Sequence, residues 1–452
     1  MPDLFAGSYS ADIELPKGME MTGYIARISP AVGVNDQLKV RSIALSDGKN
    51  KVLLIVCELL GLDSEFVDAV QDAISNETGF AKEDIIIACT HTHTGPASIF
   101  LQDSGKMNTD WMERLKSTIV GCAKASAMEM EPVEAFLGKG KSTLGVNRVI
   151  RDMTGDMNSA VKNRDDSLGV LILQSKANAG KKIILINYAC HPVSIGSGIS
   201  IYSGDYPHFM MEAVEKKLPE GAFLAFTNGC CGDIDPARGG TFQIAEDYGI
   251  ELAEDVMNVL NSDLRNILDA CKDTGILETR TASVEIPLVY SLDETALETF
   301  AAEYEKDYER ESVRGDLVES RIAKAYVHWT ENMRRKIKDG TLPGRITARM
   351  KILRIGKLVI VTLPFEPFHG IGLKIKALLG DENTLVLGYA NGDFGYLPSK
   401  DLYRISGYES RHAYKFYGYP GPVSEDSEET ILKAICESEI YKGVSTVEVS
   451  NR

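Results

Sequence analysis

Five short apolar runs in this chain end alike, and that shared ending constrains the fold more than any other feature. Each run reads as a buried strand, and each stops on polar, turn-forming or metal-capable residues. "IIIACTHTH" ends on His91 and His93, "IILINYACHP" on His191, and "AFLAFTNGCCGDIDP" on Asn228, Asp233 and Asp235. "LVIVTLPFEP" ends on Glu366, and "LVLGYANGDFGYLP" on Asn391, Asp393 and Tyr396. Runs this apolar, without polar alternation, require cover on both faces of a sheet.

Candidate helices lie between the strands. "DSEFVDAVQDAISNETG" has helical apolar spacing with Asp63 or Ser64 as a cap, and "DWMERLKSTIVGCAKASAM" is a second amphipathic stretch. "ALSDGKNKVLLIVCELLGL" reads as a hairpin turn leading into a buried strand. The alternation predicts an α/β fold of mixed β-sheets flanked by helices, with 1–452 forming one catalytic-type domain. Residues 291–340 differ, being rich in Glu, Lys, Arg and Ala; they predict an inserted helical pair with a solvated outer face.

In open α/β sheets, ligands bind beyond the carboxyl ends of the strands. Five strands ending this way can bring their terminal residues to one site. Two imidazoles, a carboxylate and a further oxygen donor would make a four-ligand metal centre, which suits zinc among the transition metals. His91 and His93 stand two apart, so a persisting strand turns both toward one pocket. Either both bind the metal, or one binds it and the other meets the substrate. Pro192 and Pro367 force the residue before each into extended geometry and end strand pairing, fixing His191 and Glu366 at loop mouths. His369 lies close enough to Glu366 to support it, whereas His328 and His412 read as structural.

Composition narrows the partners. A formal charge of −16 argues against nucleic acid or an anionic membrane, leaving a small-molecule substrate. The amino terminus "MPDLFAGSYSADIEL" lacks the basic start and apolar core of a secretory signal. No run reaches the ~18 apolar residues of a spanning helix, and no stable membrane anchor is expected. The eight cysteines contain no CxxC pair and read as reduced, buried thiols, which predicts a cytoplasmic protein.

The motifs and their order resemble the neutral/alkaline non-lysosomal ceramidase family, specifically its zinc-bearing amino-terminal catalytic domain. "THTHTGP", "GVNRV", "ACHPVS", "SGDYP", "NGCCGDIDP", "LPFEPF" and "YANGDFGYLPSKDLY" follow in the family's order, so the resemblance covers nearly the whole chain and indicates a short member. It implies one Zn2+ per chain, with His91, His191 and Glu366 as ligands and His93 facing the substrate. It also implies a tyrosine ligand after Asn391, for which Tyr396 is the best match; Asp393 stands where the long ceramidases often carry another tyrosine.

One departure bears on chemistry. The family's catalytic serine lies in Gly-Asp-x-Ser-Pro, and here the string is Gly232-Asp233-Ile234-Asp235-Pro236. Asp235 offers no hydroxyl nucleophile, but a carboxylate can serve as a general base or anchor substrate hydroxyls. The expectation is therefore a zinc-dependent hydrolase acting on an amide-type bond of a small polar N-acyl compound rather than on ceramide. A metal-dependent hydrolase or lyase of a sugar or polyol, or a metal-bound binding protein, is the alternative. His93 would stabilise an oxyanion, and Asp235 or Asp205 would handle a proton, although Asp205 also fits a helix N-cap. Arg148, Asn228 and Tyr408 are candidate substrate contacts, Tyr408 within a loop that also holds Tyr414, Tyr417 and Tyr419 and is placed to cover the site.

Overall fold

In the computed structural model, described for residues 3–268 and 276–438, the apolar runs form two mixed sheets packed face to face. The larger contains β1 (Leu4–Asp12), β2 (Lys39–Ser46), β3 (Lys51–Cys57), β4 (Ile85–Cys89), β5 (Glu131–Lys141), β6 (Ser167–Ser175), β7 (Lys182–Tyr188) and β8 (Phe223–Asn228). Its order is β8-β7-β6-β5-β1-β2-β3-β4, antiparallel except for the β3–β4 and β7–β8 pairs. The smaller sheet runs β9 (Leu277–Pro287), β10 (Arg345–Ile355), β11 (Leu358–Thr362), β12 (Thr384–Leu387), with β11 and β12 parallel.

Strand periodicity explains the unbroken apolar runs. Leu53, Ile55, Ile85 and Ile87 point to one face, where they pack with Val67, Val70 and Ile74 of helix α1 (Ser64–Thr78) and Leu115 and Ile119 of helix α2 (Thr109–Met128). Helices α3 (Asp205–Glu215) and α4 (Phe242–Leu260) extend that layer. Leu54, Val56, Ile86 and Ala88 point the other way and meet Leu353, Leu358, Ile360 and Leu385 of the smaller sheet. The far face of the smaller sheet is covered by Ile431 and Ile435 near the carboxyl end and by Ile371 and Ile375 of a helix spanning His369–Leu379. Four layers result, helices, sheet, sheet, helices, so the strands of the two sheets are buried on both sides.

The helical insertion lies between β9 and β10, as α5 (Glu294–Arg314) and α6 (Leu317–Lys338). Helix α5 matches the solvated reading, burying only Leu297, Ala301 and Glu311. Helix α6 does not: Ala323, Ala325, Trp329, Thr330 and Met333 are buried, and Arg321, His328 and Asn332 bond to Ile25, Asp103 and Gln102 of the body. Seven cysteines are free and six of them buried, as expected; Cys271 lies outside the described residues. No helix among the described residues is long and apolar enough to cross a membrane.

One buried ion pair ties the outer helix layer across to the larger sheet. The Lys376 ammonium donates to the Asp165 carboxylate and to the Ser167 hydroxyl, with both charged side chains almost fully enclosed. Burial alone would raise the Asp165 pKa, but the Lys376 charge and hydrogen bonds outweigh it and hold the carboxyl below its usual range. A depressed carboxyl contributes stability that is present above its unfolded pKa and lost as pH falls through the folded value. Lys376→Met is therefore expected to destabilise the protein by about 3–5 kcal/mol near neutrality. The loss should shrink on acidification as Asp165 takes up a proton. Urea unfolding at several pH values measures both effects.

Candidate metal centre

The histidines converge by a turn rather than by strand alternation. β4 ends at Cys89, two residues before His91, so the same-face argument does not apply. His91 instead takes a left-handed conformation with φ 70°, its N–H bonded to Leu59 O. Thr92 and Thr94 then donate their hydroxyls to Ser203 O, which closes the turn. The result sets His91 Nε2 3.2 Å from His93 Nε2. His191 arrives just beyond β7 with its N–H on Ile234 O. Glu366 follows β11 in a two-residue ladder, Glu366–Pro367 against Tyr396–Leu397. Gly232 makes this approach feasible, because a Cβ there would sit 2.5 Å from Glu366 O.

All three imidazoles are held in the same way. Nδ1 of His91, His93 and His191 faces Leu60 O at 2.8 Å, Gly23 O at 3.0 Å and Ile234 O at 3.2 Å. A carbonyl oxygen only accepts, so each Nδ1 carries the proton and each Nε2 presents a lone pair. Glu366 Oε2 lies 3.1 Å from His191 Nε2 and 3.2 Å from His91 Nε2. Burial, aided by the adjacent imidazoles, holds the His93 pKa well below the ordinary value; burial also lowers that of His91. Burial would raise Glu366, but contact with His91 and His191 outweighs it and holds this carboxyl well below its usual range. Three ring nitrogens and a carboxylate oxygen thus crowd one point, an arrangement that is balanced only when a proton or a metal cation joins it. One ring nitrogen from each of His91, His93 and His191 lies within 4.8 Å of the others, a group that could hold a metal ion.

Tyrosines surround the cluster. Tyr389 stacks on His91 with ring centroids 3.9 Å apart, and its hydroxyl meets Cys231 Sγ. The Tyr417 hydroxyl donates to Glu366 Oε1. Tyr396, the expected phenol ligand, lies beside Glu366 in the short ladder, and its ring faces the Arg148 guanidinium at 5.4 Å. Asp393 accepts from Gly395 N, and burial together with the Glu366 charge pushes its pKa well above the usual range. Neither Tyr389 nor Tyr417 stood out in sequence. Tyr417 was one tyrosine among several in its loop, and Tyr389 sits inside an apolar run.

Several residues expected at the site are bonded to other parts of the chain. Arg148 uses three nitrogens to bind Glu409 Oε1, Asp235 Oδ1 and Gly232 O, and it is not part of the cavity wall. Asn228 accepts from Cys190 N and donates to Thr90 O and Cys190 O, tying the ends of β4, β7 and β8 together. Asp205 is not the N-cap of α3, a place taken by Gly204. Its carboxylate accepts from the N–H groups of Ser194, Ile195 and Tyr206 and is fully buried, which pushes its pKa up to about 6. Asp235 Oδ1 lies 3.7 Å from His191 Nδ1, behind that ring. His369, expected to support Glu366, instead pairs with Asp233: its Nδ1 donates to one carboxylate oxygen, and the other accepts from His369 N. Burial lowers the His369 pKa, but the Asp233 charge and hydrogen bond outweigh it and raise it. His328 pairs with Asp103 and His412 lies beside Lys415, both away from the cluster.

A cavity of about 300 Å3 opens onto His91, His93 and Glu366. Its polar wall includes Tyr24, Tyr396 and Tyr417, and Tyr408 stands half-exposed at the mouth. Its apolar lining comes from Ile25, Leu60, Leu101 and Phe416 together with Val318 and Ile322 of α6. The predicted solvated insertion therefore forms part of the cavity.

No family model matches the sequence. Among solved structures, the chain is similar to neutral ceramidase from Pseudomonas aeruginosa, with a TM-score of 0.74 at 15% identity, over 100% of this chain and 77% of that one. A ceramidase complexed with C2 gives a TM-score of 0.73 at 15% identity, over 100% of this chain and 78% of that one. At this identity the likeness establishes the fold: the two mixed sheets and their flanking helices have the ceramidase catalytic architecture.

Proposed function

We propose that the protein is a zinc-dependent hydrolase that cleaves an amide-type bond in a small N-acyl compound. The convergence of the His91, His93 and His191 lone pairs with the Glu366 carboxylate carries this reading. Three imidazole nitrogens and one carboxylate oxygen suit zinc, and each Nδ1 donates to a backbone carbonyl, as ligating histidines do. Zinc held there supplies Lewis acidity toward a carbonyl oxygen and lowers the pKa of a water.

The remaining work falls to residues of the chain. With its proton on Nδ1 and its pKa held low, His93 presents an acceptor at Nε2. The oxyanion donor expected from sequence would have to be the imidazolium, so His93 acts as a nitrogen ligand or proton acceptor. Arg148 and Gly232 fix the loop that carries Asp235, and Asp235 is the carboxylate proposed to take up or return a proton near His191. Tyr396 remains the phenol proposed for an additional ligand position. The apolar wall receives the acyl or other apolar portion of the substrate, and the 300 Å3 volume supports a small one. This wall makes the proposed substrate less polar than composition alone suggested.

A second reading has one observation in its favour. Tyr24, Tyr396, Tyr408 and Tyr417 line the cavity, and phenol faces and hydroxyls also suit a sugar or polyol derivative. A panel of short N-acyl amines, N-acyl amino acids and modified sugars separates the readings, since turnover of sugars alone removes the amidase proposal. Ligand retention without any turnover would indicate a metal-bound binding protein.

Protein isolated without chelators is expected to carry about one equivalent of zinc. His91→Ala or Glu366→Ala should weaken Zn2+ binding by at least about 100-fold. Wild-type protein that neither carries nor accepts a transition metal would refute the metal reading. Because His91 and His93 are held below the ordinary imidazole value of ~6.5, Zn2+ should be retained as pH falls through that region and released only at lower pH. Chelator competition across pH 5–8 measures this.

Asp235→Asn should lower kcat by about 10²–10⁴-fold on the substrate the panel identifies, with zinc content unchanged. Full activity in that variant would remove the proton-handling role.

A further inference from the structure

Lys415 is a buried charge without a counter-ion. It is 3% exposed and, among the described residues, its ammonium makes no salt bridge; its hydrogen-bond partners are the Arg411 carbonyl at 3.5 Å and His412 Nδ1 at 3.4 Å. Aromatic rings surround it. Nζ lies 4.6 Å from the ring centroids of Tyr326 and Tyr414, 5.8 Å from Trp329 and 5.9 Å from Tyr304. Tyr304 belongs to α5, and Tyr326 and Trp329 to α6, so most of this cage is built by the inserted pair. A desolvated ammonium is well held by such ring faces.

The next two residues serve the candidate metal centre. Phe416 lines the cavity, and the Tyr417 hydroxyl donates to Glu366 Oε1, leaving Oε2 toward the imidazoles. A donor on one carboxylate oxygen orients the other, which is how an outer hydrogen bond tunes a ligand. Helix α6 grips the same loop twice more, with Trp329 Nε1 on Tyr419 O at 2.7 Å and Lys336 Nζ on Gly418 O at 2.8 Å.

We propose that Lys415 is a positioning residue: its capture in the aromatic cage of α5 and α6 fixes the loop of residues 414–419 and so sets the Tyr417 hydroxyl on Glu366. The functional consequence rests on the metal reading above, whereas the positioning itself does not. The insertion thereby governs the orientation of a carboxylate that neither helix touches.

The test compares Lys415→Met, Lys415→Arg, Tyr417→Phe and the Lys415→Met/Tyr417→Phe double variant. Two quantities are read: the Zn2+ dissociation constant by chelator competition, and amide hydrogen exchange over residues 412–419. Lys415→Met and Tyr417→Phe should each weaken Zn2+ binding by about tenfold. The double variant should be no weaker than the worse single one, because both act through the same hydroxyl. Lys415→Arg, which keeps the cation, should recover most of the affinity, and Lys415→Met should speed exchange over 412–419. Wild-type affinity in Lys415→Met, or losses that add in the double variant, would overturn the proposal, even if the melting temperature fell. If the wild-type protein takes up no Zn2+, the metal reading fails and exchange alone decides: unchanged protection of 412–419 in Lys415→Met overturns the positioning, and faster exchange with global unfolding unchanged sustains it. Should Lys415→Met fail to fold, Lys415→Gln supports the same comparison.

Discussion

The site depends on a repulsion that the fold itself enforces. Backbone carbonyls of Leu60, Gly23 and Ile234 claim the Nδ1 protons of three imidazoles, and this turns three Nε2 lone pairs inward on the Glu366 carboxylate. Those carbonyls come from three separate segments of the chain. Burying such a cluster is costly unless a cation completes it. The surrounding structure therefore brings together a group that could hold a metal ion.

The backbone records that constraint. Among the described residues five non-glycine residues have positive φ, and His91, Asp205, Tyr389 and Asn391 are four of them. Each conformation costs about 1–2 kcal/mol and persists only where neighbouring bonds over-determine it. Asn391 shows how this is done: its N–H donates to Ile87 O, its Oδ1 accepts from Ile87 N, and its Nδ2 donates to Thr362 Oγ1. Tyr389 O accepts from Cys89 N, and Ala390 bridges Ala88. These bonds join β4 of the larger sheet to the smaller sheet. Strain at the site and cohesion between the sheets thus share the same residues.

Much of this was legible in sequence, for reasons that differ between residues. The strands were legible because burial on both faces leaves unbroken apolar runs such as "KVLLIVC", and their polar ends marked where the chain had to leave the core. The convergence of His91, His191 and Glu366 was legible because few residue types that end a buried strand also have metal-capable side chains. The individual duties of Arg148, Asn228 and Asp205 were not, since a buried polar side chain in a loop reads the same whether it faces a ligand or a backbone amide. Asn228 binds three main-chain groups that are distant in sequence, and only the folded chain shows that both of its amide protons are used.

The insertion shows where periodicity misleads. Helices α5 and α6 are both rich in charged residues, acidic in excess in α5 and basic in excess in α6, and a charged helix usually means a solvated one. For α6 the charges are the attachment. Arg321 donates to Ile25 O, His328 pairs with Asp103, Asn332 meets Gln102, and Lys336 donates to Gly418 O, so the polar side chains fasten the helix to loops that border the cavity. Val318 and Ile322, in the first turns of the helix, face the cavity. Composition identified a polar helix; what it borders was set by the partners of those side chains, and these lie far away in the chain. The cavity is accordingly a seam between the insertion and the two sheets, and its shape follows from how firmly α6 is held as much as from the strands that deliver the histidines.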